Sequence, residues 1–182
     1  MLGRFGGLDD IVIGNVSSGR THPVDGIEEA LGLFIETLPV HYSLSSDACF
    51  ADWLAAHQVA QSGHGIHGHI GLGAIQGLVG LSGQALFDAV FVYENYPVDI
   101  DDDVTMGGLS FTGVDGYDDT HYPIGLVVAP SSEGMSLRFS YQLGYMDDAV
   151  AGVLVEQLTA LLGRLGGVGA VSYTHLRAHE TV

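Results

Sequence analysis

Ala89-Val90-Phe91-Val92-Tyr93-Glu94 is the stretch on which the fold reading turns. β-Branched and aromatic residues fill it, and they fit a pleated surface better than a helix, where the preceding turn crowds them. The run therefore reads as a strand. Working outward, Ile11-Val12-Ile13-Gly14-Asn15-Val16 reads as a short buried strand. Leu38-Pro39-Val40-His41-Tyr42-Ser43-Leu44 alternates and reads as another, with Pro at its start. Further strands are expected around Leu109–Val114, Ile124–Ala129 and Ser136–Tyr141. Helical spacing separates them. Ile27, Ala30, Leu31 and Phe34 fall on one face, with Glu28 and Glu29 in the first turns. A helix capped by Asp47 is expected to reach about Ser62 and to bury Phe50, Trp53, Leu54 and Val59. A short helix near Leu72–Leu78 is weakened by its glycines. A last one, from Asp147 to about Leu165, sets Val150, Val153, Leu154, Leu158, Leu161, Leu162 and Leu165 at spacings of three and four. Strands and helices in this order predict an α/β fold of the α+β two-layer type, a mixed sheet with flanking helices.

Composition narrows the function. The 182 residues are 47% hydrophobic, enough for one domain with a core. The chain has no Lys, and five Arg against 22 Asp and Glu give a formal charge of -17. Such a chain repels nucleic acid and anionic membrane, because it cannot neutralise phosphates. A single cysteine, Cys49, excludes an internal disulfide framework and points to a reducing, cytoplasmic setting. Its place at a helix start suggests a small packed residue rather than a nucleophile. Trp53 to Phe87 contains no Asp, Glu, Lys or Arg, but His, Gln and Gly interrupt it too often for a membrane span.

Several motifs fail on inspection. Gly63-His64-Gly65-Ile66-His67-Gly68 has the dinucleotide spacing but follows a helix, not a strand. His64, His67 and His69, with His57, lack an acidic or thiol companion, so no metal is expected. Asp99-Ile100-Asp101-Asp102-Asp103 opens like a calcium loop, yet Val104 stands where the loop needs Gly and Ser110 where it needs Glu. The run reads as an acidic turn. No complete catalytic set emerges from the residues alone.

The order of several segments carries a resemblance. Asp9-Asp10-Ile11-Val12-Ile13-Gly14, then Val16-Ser17-Ser18-Gly19-Arg20, resembles the D-D-V-V-x-G…V-S-G-R segment of condensation domains from nonribosomal peptide synthetases. Gly26-Ile27-Glu28 and Gly32-Leu33-Phe34-Ile35-Glu36-Thr37-Leu38-Pro39-Val40-His41 are similar to that family's G-[IV]-E and G-L-F-[IV]-N-T-L-P-V-R. His69-Ile70-Gly71-Leu72-Gly73-Ala74-Ile75-Gln76 resembles H-x-P-L-A-D-I-Q. Leu86-Phe87-Asp88, Phe91 to Pro97, and Thr120-His121-Tyr122-Pro123-Ile124 follow in the family's order. The resemblance covers about residues 2 to 166.

The resemblance implies a chloramphenicol acetyltransferase-like fold of two lobes with a tunnel between them, of which this chain is the C-terminal lobe. It implies that peptidyl carrier protein domains present two phosphopantetheine thioesters, and that an acceptor amine attacks a donor carbonyl to form an amide. No cofactor is bound directly. The family's catalytic H-H-x-x-x-D-G loop belongs to the other lobe, and no two histidines are adjacent here. The chain alone is therefore expected to be inactive and to need the missing N-terminal lobe, whose apolar contact face it should expose. Met1-Leu2-Gly3-Arg4 looks like the end of the family's L-L-G-R-L helix, so Met1 is expected to lie inside a larger gene. The residues this lobe gives the tunnel are expected to be Ser17, Gly19, Arg20, Glu36, Glu94, Asn95 and Tyr96. Ser17 to Arg20 can equally shape a turn. Glu36 replaces the family's Asn, His41 its Arg and Gly71 its Pro. An epimerisation domain, a related acyltransferase or a non-catalytic carrier-docking module would share these features.

The end of the chain reads differently. Residues 171–181, Val-Ser-Tyr-Thr-His-Leu-Arg-Ala-His-Glu-Thr, resemble a translated transposase-end sequencing adapter. The domain is therefore expected to span 1–170, with 171–182 a non-native tail. The i, i+4 pair His175 and His179 is set aside with it.

Overall fold

In the computed structural model, residues 2–20, 23–44, 49–65, 67–94, 103–106, 109–112, 120–131, 134–166 and 171–179 are described. Along the chain lie α1 (Leu2–Phe5), β1 (Asp10–Ser17), β2 (Glu36–Ser43), α2 (Phe50–Gly65), α3 (Leu72–Leu78) and β3 (Ala89–Tyr93). β4 (Asp103–Met106), β5 (Leu109–Thr112), β6 (Ile124–Ser131), β7 (Gly134–Gln142), α4 (Asp148–Gly166) and β8 (Val171–His179) follow. Six strands form a mixed sheet in the order β2-β1-β3-β6-β7-β8, and β4 pairs with β5 apart from it. β1, β3 and β6 run parallel, while β2 and β7 are antiparallel to their neighbours β1 and β6. Parallel neighbours need a crossover, and β2, α2 and α3 lie in the one that joins β1 to β3. Pro39 sits within β2 opposite Gly14. β2 has a free edge, where a missing N–H is tolerated.

One face of the sheet meets α4. Leu137, Phe139 and Tyr141 alternate along β7 as its buried residues, and their register partners are Val128, Leu126 and Ile124. Against them pack Ala151, Leu154 and Val155 of α4, with Leu2, Met146 and Val150 at the margin. The helix is tied at its start: Asp147 Oδ1 accepts from the Val150 amide at 2.8 Å, and the Tyr141 hydroxyl donates to Asp148 Oδ1 at 2.7 Å. The first bond is an N-cap. Asp147→Ala is expected to cost about 1 kcal/mol, read as a lower urea midpoint with an unchanged slope. On the opposite face Phe87 closes over Gly14, where any Cβ would enter its ring, and the Tyr122 ring lies tilted against it with centres 5.2 Å apart. The same burial pushes the Tyr122 hydroxyl above the usual phenolic range.

The expected strands are present, and α3 spans Leu72–Leu78 as read. Several expectations need correction. The segment Ile27–Phe34 is not a helix: turns occupy Asp25–Glu29 and the chain then runs without regular structure to Ile35. Gly26 takes φ +76, and the carbonyls a helix would use are taken by Arg20 instead. α2 buries none of its residues; Phe50, Leu54 and Val59 are exposed. At 3.6 residues per turn Val59 lies about 180° from Phe50, so the four apolar positions never formed one stripe. Asp47, its expected cap, lies outside the described residues. Cys49 is exposed rather than packed. On α4, Ala151 and Val155 centre the buried face with Leu154, while Val153, Leu161 and Leu165 stay exposed. Val153 is rotated off that face, and the last turns of the helix extend past the core. Val171–His179 lies parallel to β7 as β8, so His175 and His179 do not share a helical turn. Among the described residues, no helix is long and apolar enough to cross a membrane.

Candidate functional site

The candidate residues cluster where β1 ends and β2 begins. Their antiparallel register ends on the pair Ser17 and Glu36, so the chain leaves β1 beside the point where it enters β2. The exit from β1 is a tight turn held by its own hydroxyls: Ser17 Oγ accepts from the Gly19 amide and Ser18 Oγ from the Arg20 amide, both at 3.4 Å. Gly19 has φ +66 and is buried against the Phe34 carbonyl, leaving no room for a Cβ. These are two separate reasons for glycine there.

Arg20 then reaches across the connecting loop. Its Nη1 donates to the carbonyls of Ile27, Glu28 and Ala30 at 2.5, 3.2 and 2.9 Å. Its guanidinium carbon lies 4.7 Å from the centre of the Phe34 ring, a cation–π stack. The residue thus braces the loop and the segment that feeds β2. Glu36 stands on the other side of Gly19. Its Cγ lies 3.2 Å from where a Gly19 Cβ would be, and its carboxylate presses on the buried Gly68. Three segments far apart in sequence therefore meet at Glu36: the turn after β1, the start of β2 and the Gly/His turn after α2. Glu36 thus sets a carboxyl group beside the carboxyl ends of β1 and β3. Such strand ends are where open sheets commonly hold ligands.

Ser17, Gly19, Arg20 and Glu36 are thus brought together. Glu94 lies at the same end of the sheet, following β3 where Val92 is in register with Val16. Its amide donates to the Val128 carbonyl at 2.8 Å. Asn95 and Tyr96 lie outside the described residues. Sequence reading missed Gly68 and Phe34 as partners of this junction. The glycine-rich run around Gly68 was the available signal, since glycine marks close approach as well as flexibility.

The Gly/His stretch does not gather its histidines. His57 lies between the Tyr42 ring, stacked at 5.2 Å, and the Trp53 indole at 4.0 Å. Its Nδ1 lies 2.9 Å from the Trp53 carbonyl. Trp53 Nε1 donates to the Ser43 carbonyl at 2.7 Å, so this aromatic group docks α2 onto β2. Among the described residues no group of three or more His, Cys, Asp or Glu is placed to hold a metal ion.

Comparison with known proteins places this arrangement. The family model described as "Condensation domain" matches residues 1–165. Vanchrobactin synthetase VabF of Vibrio anguillarum is 37% identical over 149 residues, 78% of this chain and 5% of that protein. Bacitracin synthase 3 of Bacillus licheniformis is 31% identical over 159 residues, 84% of this chain and 2% of that protein. Among solved structures, a variant of the starter condensation domain of rhizomide synthetase in complex with C8-CoA superposes with a TM-score of 0.55 at 25% identity. That superposition covers 70% of this chain and 28% of the other. The chain thus spans a few per cent of the curated relatives it matches and under a third of the solved chain. With a family match running from the first residue through α4, the chain belongs to the condensation domain family.

Proposed function

We propose that this chain forms one wall of a peptide-bond-forming site, whose catalytic groups come from the remainder of a condensation domain. In that reading a carrier-tethered amine attacks the carbonyl of a second carrier-tethered thioester. The C–N bond forms, the C–S bond breaks, and the thiol of the donor phosphopantetheine leaves with a proton. The observation that carries the reading is the family match over residues 1–165. The junction at Ser17, Gly19, Arg20 and Glu36 supports it by supplying a braced, polar wall at the carboxyl ends of β1 and β3. The proposed wall includes Glu94, which follows β3 at the same end of the sheet, together with Asn95 and Tyr96. Peptidyl carrier protein domains are its partners, and the cytoplasm, where such carriers are loaded, is its location. No nucleic acid or membrane takes part, in keeping with the charge of -17. Residues 171–182 contribute nothing to it. The family match ends before them, and β8 occupies a β7 edge whose open N–H and C=O groups accept any extended segment.

The test is a hybrid. Residues 1–170, with and without 171–182, replace the matching region of vanchrobactin synthetase VabF. Carrier-loaded substrates are then supplied. Both hybrids are expected to form amide, and the isolated chain none. A folded hybrid that forms no amide, or amide formation by the chain alone, overturns the reading. A requirement for 171–182 would return the tail to the domain.

A further inference from the structure

The six-stranded sheet ends on β2 at one side and on β8 at the other, where β8 runs parallel to β7 from Met135 to Gln142. The two sides are built differently. β2 contains Pro39, a residue that blunts an edge. β7 contains no Pro, Lys, Asp or Glu, so its backbone is an open template for one more strand. Parallel neighbours need a crossover, and α4 lies between β7 and β8 in the chain. The family match stops at residue 165. The edge therefore belongs to the matched domain, and the strand that covers it does not.

Backbone groups alone would take any extended segment; the register is more selective. Val171 and Tyr173 stand opposite Met135 and Leu137. Thr174 is then passed over at the register shift between Leu137 and Arg138. Leu176 and Ala178 follow opposite Phe139 and Tyr141. Leu137, Phe139 and Tyr141 are the residues that β7 buries. Without the shift His175 would stand opposite Phe139, and Leu176 opposite Ser140, since a slip of one residue exchanges the two faces of a strand. The bulge thus keeps apolar residues in register with the buried ones. Charge agrees with this pairing. Arg177 and Glu180 cancel within residues 171–182, so the formal charge of -17 lies on the rest of the chain. A neutral or basic strand suits that surface, whereas a second copy would bring a further -17 to it. We propose that the β7 edge is a strand-acceptor site for a separate extended peptide, neutral or basic, with apolar residues at alternate positions, and that Val171–His179 is a tethered segment covering it. Amide formation plays no part in this proposal.

The experiment uses the full 182-residue chain with Tyr173→Pro and Leu176→Pro, two prolines that break β8. The probe is a synthetic peptide of residues 171–182 with fluorescein at its N-terminus, and fluorescence polarisation reads binding. The double variant is expected to bind it saturably. The unmodified chain should bind it at least about tenfold more weakly, because its own strand competes at a roughly millimolar effective concentration. Leu176→Asp in the peptide should weaken binding about tenfold or more, since a charge must then pair in register with the buried Phe139. Deleting Thr174 from the peptide should do the same by slipping the register. His179→Ser, opposite Gln142, should change binding less than about twofold. If the double variant does not melt cooperatively, Leu176→Asp in the chain loosens β8 without proline and takes its place. A cooperatively folded variant that ignores the peptide overturns the proposal. So does equal binding of the Leu176→Asp peptide, which would leave an unselective edge. An oligomer of the variant that excess peptide does not dissolve overturns it too, by making a second copy the occupant. Loss of folding in both variants has the same consequence, because β8 would then be integral to the sheet.

Discussion

Leu154→Ala is expected to lower the stability of the chain by about 2–5 kcal/mol, a large share of the roughly 5–15 kcal/mol typical of a domain. Leu154 has no exposed surface and packs with Phe139, Tyr141, Ala151 and Val155 between α4 and the sheet. Removing its isobutyl group forfeits the transfer free energy and leaves a cavity, because β7 and α4 are pinned on either side by the Tyr141–Asp148 bond. The melting temperature should fall by roughly 10 °C for a domain of this size. Val153→Ala provides the control. Val153 adjoins Leu154 on the same helix but is 44% exposed, and its change should stay within about 0.5 kcal/mol. Urea unfolding followed by far-UV circular dichroism measures both. Trp53, the only tryptophan, reports separately on the docking of α2. Coincident transitions would show that α2 melts with the sheet. Equal losses at Leu154 and Val153 would show that α4 is not seated as described.

Those two residues also show what the sequence could and could not say. The three-four spacing of α4 gave the helix and its ends, because amphipathic periodicity is local. It did not give the rotation of the helix. Val153 and Leu154 score alike as apolar residues, and only the sheet beneath them decides which is inward. The strands were legible for the reason given by Ala89–Tyr93: a run of β-branched and aromatic residues has little other use. Ile27–Phe34 misled because its spacing is helical while its partner is remote in the chain. Arg20 takes the carbonyls that helical N–H groups would otherwise satisfy, and no local pattern announces such a competitor. α2 misled in the opposite sense: it is a helix, but its contact face is aromatic and polar, built from Trp53, His57 and Gln61 around Tyr42. Ser17, Gly19, Arg20 and Glu36 stand in the order of a family's motifs along the chain. Their meeting with Gly68 is a tertiary fact and needed coordinates.

Gly19→Ala is the more revealing change at that junction and is expected to destabilise the chain by about 2–4 kcal/mol. Two costs add. A residue with a Cβ in the left-handed region, here φ +66, loses roughly 1–2 kcal/mol. The new methyl would also overlap the Phe34 carbonyl, which is backbone and can move only by shifting the segment that enters β2. That shift opens the Arg20–Phe34 stack and carries Glu36 with it. Gly68→Ala separates backbone from side-chain crowding. Its methyl would meet the Glu36 carboxylate, the far end of a side chain that can rotate away, and Gly68 does not take a positive φ. Its cost should be about 1 kcal/mol, that of an off-rotamer side chain. Thermal melts of the two variants decide the matter. If Gly19→Ala melts like the unmodified chain, Phe34 is not seated against the exit of β1. If Gly68→Ala is as damaging as Gly19→Ala, the Glu36 side chain is held rigidly at the junction rather than free to turn aside.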